Sequence, residues 1–282
     1  MTPHSGKPTV YVVIGPTASG KSDYAVELAR KVDGEVISAD SRQVYRGLDI
    51  GSGKITKKEM KGVPHHMLDV ASPKRVFTAY EFARKAQPIL ENILKRGKTP
   101  IICGGTGFYI DVLLGRVTLS EVPANKQLRR ELKGKSTGEL YARLKKLDAR
   151  RAREIDKHNP VRLIRAIEIA EALGKVPKKK AQPLPFNVIW KNMKTSEISY
   201  PKVIHSRLLA RMKRGMVAEA KRLHEEGLSY KRMEELGLEY GHLSRLLQHK
   251  VTKAQMLEEL ERDILRYAKR QRTYWRKNKE IK

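Results

Sequence analysis

The sequence predicts an α/β fold built on a parallel sheet flanked by helices, interrupted by a helical insertion and closed by C-terminal helices. Three observations carry that expectation. Residues 15–22 read Gly-Pro-Thr-Ala-Ser-Gly-Lys-Ser, a complete G-x-x-x-x-G-K-S phosphate-binding loop, which makes the sheet of the P-loop type. Short apolar, β-branched runs alternate with helical periodicity over residues 1–115. From Arg116 to Lys180 the pattern turns helical, basic and poor in β-formers, and from 203 to the C-terminus it is helical again.

The elements follow in order. Thr9-Val10-Tyr11-Val12-Val13-Ile14 reads as a buried parallel strand, and 23–31 as the helix behind the phosphate loop. A second strand spans 35–38 and runs into Ala39-Asp40-Ser41. A helix is expected from Thr78 to Lys95, with Tyr80, Phe82, Ala86, Ile89, Ile93 and Leu94 on its apolar side. The strand Pro100-Ile101-Ile102-Cys103 stops at Gly104-Gly105-Thr106-Gly107. Lys178–Pro185 reads as a linker, and Phe186–Trp190 as a strand returning to the sheet. The expected organisation is a core of 1–115 and 186–282 around an insertion at 116–185.

Composition narrows the partner. The chain has 282 residues, 40% of them hydrophobic, which is globular rather than disordered. No apolar run approaches the roughly 20 residues of a membrane span, so no membrane partner is expected. Residues 1–8 are polar and lack an apolar segment, so no secretory signal is expected. The single cysteine, Cys103, excludes an internal disulfide and fits a reducing cytoplasm. The formal charge is +28 and unevenly placed. Residues 1–115 carry 17 Lys and Arg against 11 Asp and Glu; residues 116–282 carry 42 against 20. Such an excess attracts a polyanion, with nucleic acid the first candidate and an anionic membrane surface a distant second.

Ligands of open α/β sheets sit at the carboxyl ends of the strands. That rule selects the 15–22 loop, Asp40-Ser41 and Gly104-Gly105-Thr106. In the loop, Gly15 and Gly20 let the backbone wrap an anion, Lys21 reaches the outer phosphate, and the Ser22 hydroxyl ligates Mg²⁺. Asp40 is a general base, a Mg²⁺ partner or a cap of the following turn. Thr106 either offers its hydroxyl to a reacting group or caps a helix starting at Phe108. Spacing leaves these alternatives open. His65-His66 are adjacent, so in an extended chain their rings point oppositely and do not share a metal. Cys103 closes an apolar strand and reads as a small buried hydrophobe. In the C-terminal helix, Leu257, Leu260, Ile264, Ala268, Gln271 and Trp275 share a face, while seven Lys and Arg lie between Arg262 and Lys277. Gln271 on that packed face is expected to serve the core, and the basic side to face phosphates.

Several ordered motifs occur together: the phosphate loop, Val36–Tyr45 (VISADSRQVY), Asp49–Lys54 (DIGSGK), Val63–Asp69, Pro100–Tyr109, Asn159–Glu168 and Arg266–Trp275. In this series the chain resembles the tRNA dimethylallyltransferases (tRNA isopentenyltransferases) over nearly its whole length. The resemblance implies transfer of a dimethylallyl group from dimethylallyl diphosphate to N6 of the adenosine 3′ of the anticodon. Carried over motif by motif, Gly15, Pro16, Thr17, Ala18, Ser19, Gly20, Lys21 and Ser22 cradle the diphosphate, with Mg²⁺ on Ser22. Asp40 takes a hydrogen bond from the N6 amine and acts as base, Thr106 orients the same centre, and Arg207 lies near the diphosphate. Asp40, Ser41, Arg42, Gln43, Thr106, Arg129 and the run Val161, Arg162, Leu163, Ile164, Arg165 match segments that contact tRNA. The insertion is then expected to clamp the anticodon stem-loop, and the protein to act as a monomer.

Some segments depart from the family pattern. Leu236-Gly237-Leu238-Glu239-Tyr240 stands where Ile-Gly-Tyr-Lys/Arg-Glu/Gln is common, and His158-Asn159-Pro160 where Asn-Asp is usual. No Cys-x2-Cys occurs, so a bacterial type without a zinc finger is expected. The loop alone serves an ATP-dependent nucleotide or small-molecule kinase equally well. A non-catalytic RNA-binding protein is a third reading, opposed by Asp40 and the intact Lys21-Ser22 pair.

Overall fold

The structure, a computed structural model, describes residues 6–117, 119–178, 184–196, 198–276, 278, 280 and 281. Strand β1 (Thr9–Ile14), helix α1 (Lys21–Lys31) and strand β2 (Gly34–Ser38) come first. The one-turn helix α2 (Lys57–Met60) and the two-residue strand β3 (His65–His66) follow. Helix α3 (Ala79–Lys95), strand β4 (Thr99–Cys103) and helix α4 (Gly107–Leu113) complete this run. Four helices come next: α5 (Lys126–Leu132), α6 (Thr137–Leu147), α7 (Ala149–Glu154) and α8 (Pro160–Leu173). Strand β5 (Asn187–Asn192) precedes α9 (Tyr200–Lys213), α10 (Met216–Glu225), α11 (Tyr230–Leu236), α12 (Leu238–Leu247) and α13 (Lys253–Trp275). The chain divides into two compact units, Met1–Arg116 with Pro183–Lys282, and Val117–Gln182.

In the larger unit the strands form one parallel sheet of order β3-β2-β4-β1-β5. Strand β1 runs between β4 and β5, with Tyr11 opposite both Ile101 and Ile189. Val10, Val12, Val13 and Ile14 are fully buried, as a parallel strand covered on both faces requires. Strand β3 has no counterpart among the elements expected from sequence, because two residues carry no periodicity. Its rings diverge as an extended pair must: His66 Nε2 lies 2.8 Å from Glu35 Oε2, and His65 Nδ1 lies 2.9 Å from the Val63 carbonyl.

Thr78 and Glu81 form a capping box at the start of α3, which buries Phe82, Ala86, Leu90 and Ile93. Tyr80, expected on the apolar side, is instead 44% exposed. Helix α13 buries Met256, Leu260, Ile264, Ala268, Gln271 and Trp275, while Leu257 is half-buried. No helix among the described residues is long and apolar enough to cross a membrane.

The smaller unit has its own core of Leu128, Leu132, Leu140, Leu144, Leu163 and Ile167. Asn159 caps α8 by accepting the Arg162 N–H at 3.1 Å, and Pro160 occupies the first turn, where no amide partner is lost. This local chemistry explains the Asn159-Pro160 pair.

Candidate active site

The carboxyl ends of β1, β2 and β4 open on a cleft of about 340 Å³. It is lined by the phosphate loop, Asp40, Gly104, Gly105 and the 52–55 segment, and on the far side by α9 and α13. The strand-end rule therefore brings residues 17–22, Asp40 and Gly104-Gly105 onto one cleft, while Gly15, Pro16, Ser41 and Thr106 stand behind its lining.

Within the phosphate loop, Lys21 Nζ donates to the Pro16 carbonyl, and the Thr17 N–H donates to Gln271 Oε1 at 2.7 Å. Thr17, expected in the cradle, thus has its amide committed elsewhere, and Pro16 has none to give. The amides of residues 18–22 have no acceptor among the described residues and stand at the N-terminus of α1, where an anion is favoured. Ser19 Oγ is buried there without a hydrogen-bond partner among the described residues, an orphaned donor of the kind an anion satisfies. Burial pushes the Lys21 ammonium below its ordinary value, while nearby Asp40 opposes that shift. Burial pushes the Cys103 thiol up to about 12, so it stays protonated and serves packing. Among the described residues no three His, Cys, Asp or Glu side chains form a metal cage. The Ser22 hydroxyl on the cleft wall fits a Mg²⁺ that keeps waters and shares phosphate oxygens, since such ions need only one or two protein oxygens.

Asp40 Oδ1 accepts the N–H groups of Arg42 (2.8 Å) and Gln43 (3.3 Å), so one oxygen does cap the turn. Oδ2 has no partner among the described residues, and Asp40 lines the cleft. Capping and proton transfer are compatible, one oxygen for each. Thr106 sits at the N-cap position of α4 without capping it; its Oγ1 instead accepts the Ser41 N–H at 3.0 Å. Tyr267, on α13, enters the same cleft, where burial and then Asp40 push its phenol up to about 12.

The opposite wall carries Arg207 and Arg211 of α9 and Arg214 at its C-cap, at the spacing that puts residues on one helical side. Arg211 donates to the Gly51 carbonyl (2.7 Å) and to Glu239 (2.8 Å). The divergent 236–240 segment thus supports the cleft wall: Glu239 holds Arg211, and Tyr240 is buried with its hydroxyl on Glu219. Of this wall the sequence reading selects only Arg207, although the spacing of Arg207, Arg211 and Arg214 is a readable signal.

Ser41, Arg42 and Gln43 follow Asp40 directly, and Gln43 lines the cleft. The remaining tRNA-contact candidates lie in the smaller unit. Arg129 grips buried Glu168 with Nε and Nη2 at 2.7 and 2.8 Å, and Arg165 reaches Glu168 (3.2 Å) and the carbonyls of Ser120 and Val122 (3.3 and 2.7 Å). Burial raises the Glu168 carboxyl, but these arginines and the Asn125 N–H outweigh it and hold the group below the usual range. Leu163 is fully buried in that unit's core, so its side chain packs the unit rather than meeting a ligand, and Ile164 is half-buried. Val161, 76% exposed, and Arg162 do face solvent.

The family model described as IPP transferase matches residues 43–278. A tRNA dimethylallyltransferase of Geotalea uraniireducens is 40% identical over 269 residues, 94% of this chain and 87% of that protein. One from Treponema denticola is 40% identical over 284 residues, 97% of this chain and 93% of that protein. The crystal structure of the tRNA isopentenylpyrophosphate transferase from Bacillus halodurans superimposes with a TM-score of 0.72 at 33% identity, over 98% of this chain and 89% of that one. By sequence and by fold, the chain belongs to the IPP transferase family.

Proposed function

We propose that the protein transfers a dimethylallyl group from dimethylallyl diphosphate to N6 of the adenosine 3′ of the anticodon in tRNA, releasing diphosphate. The observation that carries this reading is one cleft lined both by residues 17–22 of the phosphate loop and by Asp40, whose Oδ2 has no partner among the described residues.

The diphosphate sits on the amides of 18–22 and the Ser19 hydroxyl, with Lys21 leaving the Pro16 carbonyl to meet it. The C1–O bond of the donor breaks as the N6–C1 bond forms, and the N6 proton passes to Asp40 Oδ2. Lys21 and Arg207 oppose the charge that develops on the leaving group, so they act where the barrier is. Mg²⁺ held by Ser22 and the diphosphate would add further neutralisation of the leaving group. Thr106, held by Ser41, orients the adenine. An adenine stacked in an anticodon loop must be extruded to reach such a cleft, and the excess of Lys and Arg in residues 116–282 suits the RNA backbone. A cytoplasmic location belongs to the same reading, supported by a single, buried cysteine.

Incubation with labelled dimethylallyl diphosphate and unmodified tRNA, without ATP, tests this. Label is expected in tRNA at N6 of adenosine. No transfer without ATP, with phosphate transfer once ATP is supplied, would replace this reading with the kinase.

A further inference from the structure

Gln271 joins two loops that are far apart in sequence. On α13 and only 6% exposed, it accepts the Thr17 N–H with Oε1 (2.7 Å) and donates from Nε2 to the Gly105 carbonyl (2.9 Å). Thr17 lies in the phosphate loop after β1, and Gly105 in the loop after β4, the neighbouring strand. Gly105 precedes Thr106, whose Oγ1 receives the Ser41 N–H beside Asp40. A single carboxamide therefore ties the phosphate loop to the loop after β4, which leads through Thr106 and Ser41 to Asp40.

The fit is specific in polarity and in space. A carboxamide has an acceptor at one corner and a donor at the other, whereas a carboxylate offers no donor and an apolar chain neither. A Cβ on residue 105 would lie 2.2 Å from Nε2, so the approach needs glycine there. Thr17 is held from its other side as well, because the Tyr200 hydroxyl on α9 donates to the Thr17 carbonyl. Thr17, at the start of the phosphate cradle, is thus pinned from α13 through its N–H and from α9 through its carbonyl.

We propose that Gln271 is a positioning residue that sets the separation of the donor and acceptor halves of the cleft, and so the attack distance between N6 and C1. This inference rests on the reading of the cleft given above. Reacting atoms must approach to about 3–3.5 Å, and misplacement by about 1 Å costs on the order of 10²-fold in rate. Gln271 lines the cleft, but both ends of its carboxamide are taken up by Thr17 and Gly105, so its loss should appear in turnover rather than in tRNA capture.

The test compares wild type with Gln271→Leu, which removes both hydrogen bonds, and Gln271→Asn, which is one methylene too short to span both loops. Single-turnover rate, KM for tRNA, thermal midpoint and calorimetric binding of inorganic diphosphate are measured on the folded proteins. The expected result is a turnover loss of about 10–10²-fold with KM for tRNA within about twofold. The loss should combine less than multiplicatively with Thr106→Ala, because both act on one geometry. If Gln271→Leu does not fold, Gln271→Asn, which keeps a carboxamide in place, carries the comparison. A lowered thermal midpoint with an unchanged single-turnover rate would make Gln271 merely structural and overturn the proposal. Failure of wild type to bind inorganic diphosphate would instead overturn the reading of the phosphate loop.

Discussion

Tyr240 donates its hydroxyl to Glu219 at 2.8 Å, and the Glu219 carboxylate also gathers the N–H groups of Asp49 (3.0 Å), Ile50 (2.7 Å) and Gly51 (2.9 Å). This buried node on α10 and α12 fixes the 49–54 segment that forms one rim of the cleft. Glu219→Ala strands three amide donors and one phenol, so a loss of about 3 kcal/mol or more is expected. Tyr240→Phe removes one bond and should cost about 1 kcal/mol. Urea unfolding of the two variants checks the ratio; equal, negligible losses would mean that the node contributes nothing to stability.

Asp40→Asn should separate turn capping from chemistry. The carboxamide oxygen still accepts from Arg42 and Gln43, so folding and tRNA binding should persist. Turnover should fall by about 10²–10⁴-fold with the loss of a general base. Single-turnover rates near wild type would leave Asp40 with its capping role alone.

Lys21→Ala should weaken the diphosphate donor far more than tRNA, since Lys21 belongs to the phosphate loop that the proposed reading assigns to the leaving group. A rate loss of about 10²–10³-fold is expected where charge develops. Separate donor and tRNA titrations decide this. Equal losses in both would place RNA backbone on the phosphate loop.

The local features of the fold are legible in the sequence. The glycine loop, the β-branched runs of β1 and β4, and the Thr78–Glu81 box each carry their signal within a few residues. What escapes a sequence reading depends on distant partners. The donor and the acceptor that Gln271 meets, the Thr17 N–H and the Gly105 carbonyl, lie 254 and 166 residues away, and nothing near Gln271 names them. Arg129 and Arg165 read as exposed positive charge because their shared counterion, Glu168, is buried on α8, one turn from Arg165 and on a different helix from Arg129. Leu163 is recoverable: with Ala166, Ile167 and Ala170 it follows the period of a buried helical face.

Glu35 predicts the acid limb of stability. It is buried between Arg96, which donates at 2.6 and 2.8 Å, and His66. The Arg96 hydrogen bonds, outweighing burial and aided by His66, hold its carboxyl at about 2, against 4.5 ordinarily. A depressed folded-state value means its stabilisation is complete above the ordinary value and lost as pH falls from about 5 towards 2. Arg96→Met should therefore shift acid unfolding to higher pH and flatten the slope in that window. An unchanged acid midpoint by circular dichroism would show that the pair contributes nothing to acid stability.

The last expectation concerns the charge of the smaller unit. Arg129 and Arg165 are committed to Glu168, so replacing them should loosen that unit rather than only weaken its hold on RNA. Lys145, Lys146, Arg153 and Arg162 are exposed on the same unit and leave its core untouched. Replacing these four with Gln should raise KM for tRNA and flatten the dependence of log affinity on log salt, by about 0.7–0.9 for each phosphate no longer neutralised. Turnover at saturating tRNA should change little, because such groups position the substrate without touching the leaving group. Titrating tRNA affinity against salt gives the answer directly. An unchanged slope would mean that these side chains form only a solvated surface, and the RNA footprint would then belong to the basic face of α13, where Arg262, Arg266, Lys269 and Arg270 are exposed.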